Sequence, residues 1–164
     1  MSTAMMLPNL SRWTMNHLTA IFNATNQADF NGAIDAFLSH KAKLTLNGAN
    51  VSRAEFIKQF QTEKFDEAGA EVTFNDAVQV AKDAQNPTAA GCVGLFYNAT
   101  IAENITVQDA AVTNQYSGSL NVVIEQDPDV PQPTSSPMRG YSDCRRVTAL
   151  NQVSTEVPAT TQSA

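Results

Sequence analysis

Two hydrophobic periods divide this chain. From Leu10 to about Phe65 apolar residues recur every three or four positions, and from about Val72 onward they recur at every second position. In the first part, Trp13, His17, Ile21 and Ala24 form one stripe with Leu10, Leu18 and Phe22 beside it, which predicts a helix over about Leu10–Ala24. Asn26-Gln27-Ala28-Asp29 interrupts the pattern, and Asp29 is the predicted N-cap of a second helix that buries Ile34, Phe37 and Leu38. Ala42–Leu46 alternates strictly and predicts a half-exposed strand ended by Asn47-Gly48. Ser52-Arg53-Ala54-Glu55 then matches a capping box, opening a third helix that presents Phe56, Ile57 and Phe60 and ends near Phe65.

In the second part, Val72, Phe74, Asp76, Val78 and Val80 are expected to share one strand face. Asn86-Pro87 breaks the chain before Val93, Leu95, Tyr97, Ala99 and Ile101 alternate in the next strand. Val112, Asn114, Tyr116, Leu120, Val122 and Ile124 alternate in a third, where Gly118 is the expected bulge or bend. Residues 127–138 hold four prolines and predict an extended loop before a last strand from about Tyr141 to Val153. This order predicts one α+β domain over residues 10–157, between a flexible start (1–9) and a flexible tail (158–164). Three N-terminal helices pack on a strongly curved, mainly antiparallel sheet, forming a cone with a pocket.

Composition narrows the partners. The net charge is -6 and the ten Lys and Arg are scattered, with Arg145-Arg146 the only adjacent pair, so neither nucleic acid nor an anionic membrane is an expected partner. The N-terminus lacks the marks of a secretory signal, and no run approaches the roughly 18 apolar residues of a membrane span. A cytoplasmic location is expected, with Cys92 and Cys144 as reduced thiols packed within strands. Asn-X-Ser/Thr sequons, among them those at Asn9, Asn23, Asn98 and Asn104, are read as chance. No paired-histidine, paired-cysteine or calcium-loop spacing occurs, so no metal and no cofactor is expected.

The element order resembles the nuclear-transport-factor-2-like superfamily, the cone fold of ketosteroid isomerases, scytalone dehydratases and polyketide-cyclase-like proteins. Ala28-Asp29-Phe30 entering helix two, Phe37-Leu38-Ser39 leading into Ala42–Leu46, the capped helix Ser52–Phe60 and the strand Gly91–Ile101 with its return from Val112 carry the resemblance. It implies that the helices close the mouth of a cone whose concave sheet face lines a pocket, and that the sheet's outer surface serves dimerisation. The residues depart from the family's enzymes. Where the isomerases carry an Asp base on the first strand, this chain has Thr45, Leu46 or Asn47, and near their helix-one Tyr it has Ile21. The dehydratase type uses paired histidines with an Asp, whereas this chain has only His17 and His40, and His40 falls in a solvated setting beside Lys41.

His17 and Asp76 remain as candidate catalytic groups. His17 faces inward one turn after Trp13 and titrates near neutrality, so it is either an acid–base group or a core histidine satisfied by a carbonyl. Asp76 interrupts an apolar face, so it is either a raised-pKa acid in the pocket or is turned outward by a bulge at Asn75-Asp76. Trp13, Phe37, Tyr97, Asn114 and Tyr116 are the candidate ligand-binding residues. Tyr141, Asp143 and Arg145 share a face, where a surface ion pair is expected. Two functions follow. One is a pocket protein for an apolar small molecule and, if an enzyme, a cofactor-independent isomerase, dehydratase or cyclase. The other is a non-catalytic, dimeric protein-interaction module. Thr113, Gln115, Ser117, Ser119 and Asn121 point outward and are uncharged, which favours a homodimer through the convex face.

Overall fold

The computed structural model of this chain describes residues 7–64, 67–107, 110–130 and 143–157. The expected tail, most of the expected proline-rich loop, and Tyr141 lie outside the described residues. The elements run α1 (Leu10–Asn23), α2 (Gln27–Phe37), β1 (Leu38–Leu46), β2 (Ala49–Val51), α3 (Arg53–Lys64), β3 (Glu67–Ala81), β4 (Gly91–Val107), β5 (Ala110–Gln126) and β6 (Arg145–Val157).

Side chains next to the helix ends set the helix boundaries. Asn9 Oδ1 accepts from Arg12 N at 2.8 Å and caps α1. Asn26, rather than Asp29, caps α2, accepting from Asp29 N at 2.8 Å, while Asp29 takes the first turn, where the helix dipole favours a carboxylate. The capping box of α3 closes from both sides: Glu55 N donates to Ser52 Oγ at 3.1 Å and Ser52 N donates to Glu55 Oε2 at 2.9 Å. Asn47 (φ 51°) and Gly48 (φ 85°) make a two-residue hairpin turn that adds β2 to the sheet.

The six strands lie in the order β2-β1-β6-β5-β4-β3. Every neighbouring pair is antiparallel except β1 and β6, which run parallel. The sheet curves without closing, and register shifts between β3 and β4, β4 and β5, and β5 and β6 add local twist. The helices cover one face, where Trp13, Phe22, Phe30 and Phe37 pack against Val93, Leu95, Leu120 and Val122.

Four local expectations are corrected. The face proposed for Val72 through Val80 is split. Phe74 pairs with Tyr97 but Asp76 pairs with Phe96, so one extra residue sits in β3. A one-residue insertion reverses every later side chain. Val72 and Phe74 pack on the core, whereas Val78 and Val80 are 68% and 71% exposed on the other face. Gly118 is not a bulge: it pairs in continuous register with Tyr97 and Ser154, and a Cβ there would meet Tyr97 Cζ at 2.4 Å. The Tyr97 ring therefore lies across the glycine. Cys92 is exposed, because it pairs with Val80 on the outer face, whereas Cys144 is buried. The last strand runs from Arg145 to Val157, later than expected at both ends.

Candidate functional site

Only part of the expected pocket comes together. On α1, Trp13 and His17 are one turn apart and their rings lie 4.4 Å from centroid to centroid. Phe37, at the end of α2, completes the group at 5.7 Å from Trp13 and 6.0 Å from His17. His17 is half-buried, and its pKa is pushed down to about 4 by desolvation, against the attraction of Asp143 and with further lowering by Arg146 and Arg145. The imidazole is therefore neutral across the physiological range.

The expected surface ion pair lies beside this group, with its arginine buried and its carboxylate half-buried. Arg145 is fully buried and holds Asp143 with two hydrogen bonds, Nε to Oδ1 at 3.0 Å and Nη2 to Oδ2 at 2.9 Å. Its Nη1 donates to Pro8 O at 2.9 Å and Thr88 O at 3.1 Å, and the guanidinium lies 5.5 Å from the centre of the Trp13 ring. Trp13 Nε1 donates to Asp143 Oδ2 at 3.0 Å. Burial pushes the Asp143 carboxyl up, but the bonds and charge of Arg145 and the Trp13 N–H outweigh it and hold it below the usual range. The network joins the chain before α1, the β3–β4 turn, α1 and β6. Each of the donors named has a protein acceptor, so its chemistry is structural.

The other candidates lie elsewhere. Tyr97 packs against Phe22, nine residues or about 13 Å along α1 from Trp13, and its hydroxyl accepts from Gln152 Nε2 at 2.7 Å. Tyr116 is partly buried against the core, opposite Ala99. The backbone of Asn114 pairs with Ile101, and its side chain lies outside the described residues. Asp76 is exposed on the outer face, accepting from the Ala77 N–H at 2.8 Å. His17 and Asp76 are thus on opposite faces of the sheet, which precludes direct proton transfer by both to one substrate.

The outer face carries the stronger surface feature. Val78, Val80, Phe96 and Val153, the large hydrophobics exposed among the described residues, all stand on it. Register gives three rows across the strands: Val80, Cys92, Val123, Ala149 and Lys43; Val78, Gly94, Asn121, Asn151 and Thr45; and Asp76, Phe96, Ser119 and Val153. Charge is confined to Lys43 and Asp76 at opposite sides of these rows, so the middle of the face is uncharged. A groove of about 430 Å³ runs over the first two rows, and a second hollow of about 310 Å³ lies beyond Phe96. Phe96 was legible as an outward residue, since Leu95 and Tyr97 on either side point inward. Val78 and Val80 were not, because their side depends on the inserted residue.

By sequence, no family model and no curated protein matches the chain. Solved structures do match. An NTF-2-like protein of unknown function from Pseudomonas aeruginosa superposes with a TM-score of 0.57 at 9% identity, over 88% of this chain and 97% of that one. The Candida albicans Mtr2–Mex67 M domain complex gives 0.58 at 10% identity, over 92% and 96%. The CaMKII hub of S. rosetta gives 0.54 at 11% identity, over 94% and 100%. The chain therefore has the nuclear-transport-factor-2-like fold. Fold at this identity does not carry function.

Proposed function

We propose that this chain is a non-catalytic protein-interaction module that forms a homodimer through the outer face of its sheet. The observation that carries the reading is the grouping of Val78, Val80, Phe96 and Val153 on the one sheet face the helices leave open. Large exposed hydrophobics gathered on one uncharged sheet face, set among small polar side chains, make a surface that a partner can cover. Five strands about 4.8 Å apart, over about eight residues each, project roughly 600 Å², and side-chain relief brings this near the roughly 800 Å² per partner of a standard interface. Among proteins of this fold, Mtr2 has been solved in a complex with the Mex67 M domain, which supports a role in assembly.

The test is the mass of the chain by light scattering across a concentration series. A dimer is expected at micromolar concentration, and Val78→Lys with Val80→Lys should return a monomer that keeps the wild-type circular dichroism spectrum. A wild-type monomer mass at high micromolar concentration overturns the proposal.

An apolar-ligand pocket with proton chemistry is the second reading, supported by the aromatic group of Trp13, His17 and Phe37. Its check is fluorescence of Trp13, the single tryptophan, titrated with an apolar polycyclic probe. Saturable quenching that His17→Ala removes would favour this reading.

A further inference from the structure

The outer face has an exposed phenylalanine and a groove as near neighbours on one strand. Phe96 is 59% exposed and stands at the border of the groove floored by Gly94, two residues away on β4. Gly94 keeps that floor low. A Cβ there would meet Asn121 Oδ1 at 2.8 Å and Val78 Cγ2 at 3.4 Å, so a larger side chain would have to displace the Asn121 amide and would take up groove volume. Across β5 and β6 the residues beside Phe96 and Gly94 are Ser119, Asn121, Asn151 and Val153, none of them charged. A knob and a hole on the same patch are what an isologous contact requires, because each copy must present both halves of it.

We propose that the two copies of the dimer engage by mutual insertion, Phe96 of each entering the Gly94 groove of the other. The inference rests on the homodimer proposed above and specifies how that dimer is held. The two contacts are equivalent by symmetry, and each ring leaves water for a groove lined by Val78, Val80, Cys92 and Val123. A buried aromatic anchor in a fitted pocket is the pattern that dominates interface affinity. The groove's side chains are all supplied by β1, β3, β4, β5 and β6, so the contact needs no movement of the helices.

A complementation experiment tests the insertion. Phe96→Ala removes both knobs of a homodimer, and Gly94→Leu fills both holes, so each variant alone should dimerise at least about a hundredfold more weakly than wild type. Mixed together, the Phe96→Ala copy offers an open groove and the Gly94→Leu copy offers a ring, so one intact contact returns. Mixed dimers should form on the order of tenfold or more tighter than either variant alone, read by native mass spectrometry. Both substitutions are on the exposed face, and Gly94→Val with Phe96→Ser serves as a second pair if either first variant misfolds.

If wild type is monomeric, the homodimer falls and this inference with it. If wild type is dimeric but the mixture gains nothing, the mutual insertion is overturned while the homodimer stands.

Discussion

Two glycines in neighbouring strands face opposite sides of the same sheet. On the inner face, Gly118 leaves room that the Tyr97 ring of the same chain fills, with its hydroxyl anchored to Gln152. On the outer face, Gly94 is bordered by the ends of the Asn121 and Val78 side chains, and a groove remains above them next to Phe96. The missing Cβ is the same in both places. What differs is whether the aromatic neighbour lies across the glycine or stands away from it. The inner face is thus closed by its own residues, and the outer face keeps a groove beside an exposed ring.

The comparison breaks most severely at the buried guanidinium under α1. Arg145→Met should lower the unfolding free energy by roughly 3–5 kcal/mol, because the carbonyls of Pro8 and Thr88 lose the guanidinium at once and Asp143 keeps only the Trp13 and backbone N–H groups. A urea midpoint within experimental error of wild type would show that this network does not hold the inner side together.

Next is the acid response of His17. A base whose pKa is lower in the folded chain takes up its proton first in the unfolded chain, so stability is lost as pH falls from 6.5 through about 4. The full difference converts to roughly 3 kcal/mol below that window. His17→Gln should flatten the slope of stability against pH between those limits. Acid loss from Asp143, whose carboxyl is held below its usual value, falls at lower pH and should persist in the variant.

The glycines themselves give the third test. Gly118→Ala should cost about 1–3 kcal/mol, since the added methyl overlaps a ring held by buried neighbours. Gly94→Ala meets only the end of the Asn121 side chain at the surface and should change stability by less than about 0.5 kcal/mol. Equal costs measured by chemical denaturation would erase the difference between the faces. The smallest effect on the fold is expected for Val153→Thr, which removes exposed apolar surface and should leave the unfolding midpoint of the monomer in place while weakening association.

The sequence by itself determined what depends on neighbours within a few residues. The capping box at Ser52–Glu55, the apolar stripe of α1, the Asn47-Gly48 turn and the change from helical to alternating period are all written in short spacings, because helix caps and turns are local hydrogen-bonding problems. From these, the α+β class and the cone-type fold could be read. Asp29 was misplaced as a cap only because Asn26, three residues earlier, caps equally well.

The tertiary structure decided what depends on pairing across strands and on residues distant in the chain. Whether Val78 and Asp76 face in or out turns on one inserted residue opposite Tyr97 and Phe96; the carboxylate in an apolar run marked Asn75-Asp76 as a place for a bulge, but only the pairing decided between that and an inward Asp76. Arg145 looked like a surface ion-pair residue because its acceptors, Pro8 and Thr88, lie 137 and 57 residues away. The role of Gly118 was likewise hidden until Tyr97 was seen across it. Alternation gives the sidedness of a strand only relative to itself. Register fixes it relative to the core, and register is settled by the whole sheet and the helices packed on it.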